Sequence, residues 1–175
     1  MNTLRKSITT VALLIALLTV SIMIGAQEAT SEPITPLTDE AAQAFIEQFN
    51  RIFSEVDVSI ADELYADNFT ADLPLAPGMD AEAWKGYVLS FYEGISDLKQ
   101  EVTGYYIAGN VLTIKVFYTG THDGPLFGIP ATGTSVTVDG IGIFTFDSEG
   151  KVTNNFAVID LVELLAQVGA FPPAP

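Results

Sequence analysis

The chain has 175 residues, 49% of them hydrophobic, with 7 Lys or Arg against 22 Asp or Glu, one His and no Cys. This length and apolar fraction fit one domain with a real core. The absence of cysteine excludes disulfides, thiolate metal sites and a thiol nucleophile, and a formal charge of −15 opposes nucleic-acid binding because such a surface repels phosphates.

Arg5 and Lys6 precede an uncharged run from Val11 to Ile24 and then Gly25-Ala26, the layout of a secretory signal peptide over residues 1–26. The competing expectation is an uncleaved membrane anchor, since the uncharged stretch approaches the roughly 20 residues that span a bilayer. Both readings place the domain outside the cytoplasm, secreted, periplasmic or held at a membrane. Residues 27–37 are rich in Pro, Thr, Ser and Glu without hydrophobic period and read as a flexible tether. The folded domain is expected over 38–171, with 172–175 as a tail.

Thr38 caps a helix whose first turn holds Asp39 and Glu40. Phe45, Ile46, Phe49, Ile52, Phe53 and Val56 recur at spacings of three and four, which buries one face. A second helix is expected from Ser59 to Ala66, followed by turn residues Asn68 and Asp72. A third begins at the cap Asp80 and presents Trp84, Tyr87, Val88, Phe91 and Ile95. The pattern then changes to period two, with strands from Val102 to Ile107 and Val111 to Thr121. A second pair runs from Ser135 to Phe146 and Val152 to Ile159, the two joined through Gly150. Helices first and an antiparallel meander afterwards give an α+β domain with helices packed on a curved sheet. Gly140 and Gly142 share a strand face, where missing side chains mark a bend or a close approach.

The chemistry concentrates after residue 120. Phe156, Val158 and Asp160 alternate onto one face; turned inward, they set a carboxylate among apolar walls with Phe144 nearby, a desolvated group suited to base and acid work. The plainer reading is a helix cap, because Asp160-Leu161-Val162-Glu163 matches a capping box. His122, in a Gly-flanked turn, is either an exposed turn residue or a donor at a pocket mouth. With one His and no Cys, a metal centre is not expected. Trp84, Tyr87 and Phe91 read as core, and Tyr105, Tyr106 and Tyr118 are candidate pocket hydroxyls.

Gly120-Thr121-His122-Asp123-Gly124, Gly128-Ile129-Pro130-Ala131-Thr132-Gly133, Phe144-Thr145-Phe146 with Gly150-Lys151-Val152, and Asp160 followed by Leu164-Leu165-Ala166-Gln167-Val168-Gly169 resemble the SnoaL-like polyketide cyclases, or ester cyclases, of the NTF2-like superfamily. The resemblance spans roughly residues 38–170. It implies a cone-shaped α+β barrel and a cofactor-free aldol closure in which Asp160 is the acid/base. The chain is then expected to use His122 as the polar companion of Asp160 and to set Phe156, Val158, Phe144, Tyr118 and Trp84 against a small apolar carbonyl compound. Phe156 replaces a tryptophan common in the family, and Ala131 replaces a proline. A non-catalytic ligand-binding module and a homodimer formed through the open sheet face are the alternatives.

Overall fold

The computed structural model describes residues 35–171; the proposed signal segment, most of the tether and the last four residues lie outside them. Helix α1 (Asp39–Ser54) starts where Thr38 accepts a hydrogen bond from the Ala41 N–H at 3.1 Å. It buries Ala42, Phe45, Phe49, Ile52 and Phe53. Val56 falls beyond the helix end with φ of 54° and is exposed, not part of the buried face. Just before α1, the Leu37 N–H donates to Gly109 O at 2.8 Å, so the end of the expected tether is pinned to the domain.

The second helix is shorter than its sequence pattern. A 3-10 turn (Val58–Ile60) and a single helical turn, α2 (Ala61–Leu64), give way at Tyr65 to strand β1 (Tyr65–Leu73) and its hairpin partner β2 (Ala76–Met79). Asn68 and Asp72 therefore lie in a strand, and Asp72 fixes the hairpin by accepting from the Gly78 N–H at 2.8 Å. Two strands thus precede α3 (Ala81–Gly94), whose cap Asp80 accepts from the Ala83 N–H at 2.8 Å.

The meander follows as β3 (Lys99–Ala108), β4 (Val111–Thr121), β5 (Ser135–Phe146) and β6 (Val152–Ile159), ending in α4 (Leu161–Gln167). All six strands form one mixed sheet in the order β2-β1-β6-β5-β4-β3, antiparallel except where β1 runs parallel to β6. The helices cover one face. There Phe45 and Phe49 bring their rings to 4.9 and 5.1 Å from that of Phe144, which joins α1 to the centre of the sheet. Gly140 and Gly142 are close-approach sites: an added Cβ would stand 2.9 Å from Val116 Cγ2 and 2.9 Å from Phe144 Cε2 respectively.

Candidate functional site

Between α1, α3, α4 and the helix-covered face of β4, β5 and β6 lies a cavity of about 90 Å³, several times the roughly 10–15 Å³ that one water requires. Phe49 and Phe53 line it from α1, Trp84, Tyr87, Val88 and Phe91 from α3, and Ile114, Val116 and Tyr118 from β4. Gly142 and Phe144 on β5, Asn155, Ala157 and Ile159 on β6, and Leu164 on α4 close the wall. Among the described residues, no carboxylate, imidazole, ammonium or guanidinium group belongs to the wall. Such a lining suits an uncharged, largely apolar molecule.

Register decides what β6 contributes. Cross-strand partners share a face, and Phe144 pairs with Asn155, Gly142 with Ala157 and Gly140 with Ile159. Asn155 is accordingly 2% exposed and in the wall. Phe156 and Val158 pair with Ile143 and Ile141 on the opposite face and are 45% and 43% exposed. The expectation that Phe156, Val158 and Asp160 turn inward is therefore corrected: Phe156 is outside the cavity, and Val158 touches it only from a largely exposed strand position. Phe144, Tyr118 and Trp84 line it as expected.

Asp160 is an exposed helix cap. Its carboxylate accepts from the Glu163 N–H at 2.9 Å, and its own N–H donates to Asp139 O at 2.9 Å. The capping box is only half formed, because Glu163 accepts from Gln167 Nε2 at 2.7 Å instead of reaching back. Gln167 in turn docks α4 on β5 through a pair of hydrogen bonds with the Thr137 backbone, at 2.8 and 2.9 Å. Ile159 and Leu164, on either side of Asp160, face the cavity while Asp160 does not.

His122 is 0% exposed and absent from the cavity wall, so it is neither a turn residue in solvent nor a group at the mouth. Its N–H donates to Thr134 O at 2.9 Å, and its carbonyl accepts from the Thr132 and Gly133 N–H groups at 3.2 and 2.8 Å. Nδ1 shares a hydrogen bond with Thr132 Oγ1 at 2.9 Å, while Nε2 is enclosed without a partner among the described residues. The two glycine-bounded motifs are thus one folded loop with His122 at its centre. Asp123 ties that loop to the end of α3 by accepting from the Ser96 N–H at 2.9 Å and from its hydroxyl. These hydrogen bonds, the Ser96 hydroxyl first, hold its carboxyl below the usual carboxylate range.

Of the candidate tyrosines, Tyr105 donates to Asp39 at 2.7 Å and Tyr106 is exposed. Tyr118 alone lines the cavity, joined by Tyr87, whose hydroxyl donates to Pro74 O at 3.0 Å. Burial pushes the Tyr87 phenol up to about 12 and that of Tyr118 higher still. Asn155 was missed from sequence; within Thr153-Asn154-Asn155-Phe156 nothing local marks which Asn faces inward. Among the described residues no group of three acidic, His or Cys side chains is placed to hold a metal.

A family model for SnoaL-like polyketide cyclases matches residues 43–168. No curated protein matches the chain in sequence. Among solved structures, TsrD from Streptomyces laurentii shares 24% identity at a TM-score of 0.69, over 77% of this chain and 99% of its own. IdmH from Streptomyces antibioticus shares 22% at 0.64, over 73% and 98%. A SnoaL-like polyketide cyclase from Agrobacterium tumefaciens shares 15% at 0.61, over 74% and 98%. These likenesses are of fold: the α+β, NTF2-like arrangement expected from sequence is the one observed. With the family model spanning most of the chain, this protein belongs to the SnoaL-like polyketide cyclase family.

Proposed function

We propose that the domain binds a small, uncharged, largely apolar carbonyl compound in the cavity, as an exported protein carrying its own leader. The observation behind this reading is the wall itself, which among the described residues combines aromatic and aliphatic side chains with Tyr and Asn and carries no group charged at neutral pH. An ionised ligand placed there would lose its hydration without a counter-charge, a large penalty. Trp84 is the chain's single tryptophan and lies in the wall, so its fluorescence reports occupancy. Titration with acetophenone is expected to change Trp84 emission saturably and titration with benzoate is not; equal response to both, or to neither, overturns the reading.

Aldol-type acid/base chemistry through Asp160 is the second reading, supported by its place between the wall residues Ile159 and Leu164. It requires Asp160 to leave its cap when substrate binds, and turnover that survives Asp160→Asn would remove it. Self-association through the outer sheet face is supported by exposed Ile141, Phe156 and Val158. Sedimentation of the wild type and Phe156→Glu tests it, with a concentration-dependent dimer lost in the variant as the expected result and two identical monomers as the contrary one.

A further inference from the structure

The polar groups around the cavity are not equally engaged. The Tyr87 hydroxyl is taken by Pro74 O, and Tyr92, packed beside the cavity, donates to Phe53 O at 2.6 Å. Asn155 directs an N–H to Ile143 O at 3.4 Å. Tyr118 projects from the same wall, and its hydroxyl has no hydrogen-bond partner among the described residues. Its ring is held by β4, which sets it opposite Val138, and by edge contact with Phe53 at 6.1 Å. Held in this way on an otherwise apolar wall, the hydroxyl is free to meet a polar atom of a bound molecule. Burial, with Tyr87 and Tyr92 close by, raises the phenol well above its ordinary range, so the hydroxyl keeps its proton at neutral pH.

We propose that the Tyr118 hydroxyl selects the ligand by donating a hydrogen bond to a ketone or ester carbonyl oxygen on the apolar molecule in the cavity. The proposal rests on the cavity being a small-molecule site and adds the group that reads the ligand's one polar atom. The aromatic and aliphatic wall then holds the carbon skeleton, and the two jobs are separable. Tyr65 supplies a control: its hydroxyl is buried without a partner among the described residues, and the residue does not line the cavity.

The test uses two probes of nearly the same shape, acetophenone and isopropylbenzene, titrated calorimetrically into the wild type, Tyr118→Phe and Tyr65→Phe. Tyr118→Phe is expected to weaken acetophenone about tenfold, the loss of one hydrogen bond, and to leave isopropylbenzene unchanged, while Tyr65→Phe alters neither. The carbonyl ¹³C resonance of bound acetophenone is expected to move toward its hydrocarbon-solvent position in Tyr118→Phe. If Tyr118→Phe weakens both probes alike, or neither, the hydroxyl does not read the carbonyl. If neither probe enters the wild type, the cavity reading itself fails and takes this proposal with it.

Discussion

Asn155 stands directly across from Phe144 on neighbouring strands, and this pairing sets the chemistry of the site. It turns Asn155, Ala157 and Ile159 toward the cavity and leaves Asp160 to cap α4 at the surface. The carboxylate that the sequence motif singles out and the apolar space that the fold encloses are adjacent but separate.

Replacement of Asp160 distinguishes cap from catalyst. Asn caps nearly as well as Asp, whereas Ala costs about 1 kcal/mol. Urea unfolding is expected to find Asp160→Asn within a few tenths of a kcal/mol of the wild type and Asp160→Ala lower by about 1 kcal/mol, with acetophenone binding unchanged in both.

The loop around His122 depends on a backbone approach that only glycine permits. A Cβ on residue 124 would lie 1.9 Å from Glu93 O, and the Gly124 N–H donates to Gly94 O at 3.0 Å. Gly124→Ala must push the loop away from α3, so a loss of about 3 kcal/mol is expected in chemical unfolding, at the upper end for overpacking. An unchanged midpoint would mean that this contact is not tight.

Asp123 gives the stability a direction in pH. Its carboxyl lies below the usual range because the Ser96 hydroxyl and N–H donate to the ionised form. A depressed carboxylate contributes stability that is full above its unfolded pKa of about 3.9 and is lost as pH falls through the lower folded value. The variant Asp123→Asn is therefore expected to be less stable than the wild type at pH 6, with the gap closing below about pH 4. A gap that is constant from pH 6 to pH 3 would contradict this assignment.

Much of the fold was legible because its signals are local. Thr38 and Asp80 cap the helices they were expected to cap, and the boundaries of β5 and β6 coincide with the period-two runs. The early strands were hidden for a physical reason. Tyr65 opposes Val152, far along the chain, in the parallel β1–β6 pairing, and such a partner leaves no mark in the pattern around residue 65. The face of β6 was misread because a strand beside a cavity inverts the usual code: Ala157 and Asn155 leave room or offer hydrogen bonds inside, while the bulkier Phe156 and Val158 sit on the outer face. His122 was hidden by its glycine neighbours, which mark a turn locally but serve here to fold the loop back over the ring.

The ligand is expected to occupy the cavity and not the surface beside Asp160. Methyl ¹H–¹³C NMR during acetophenone titration tests it directly. Saturable shifts are expected at Ile114, Val116, Val136, Val138 and Leu164, which line the cavity, with Val162, exposed on α4, unmoved. Shifts confined to Val162, with the interior methyls still, would overturn binding in the cavity.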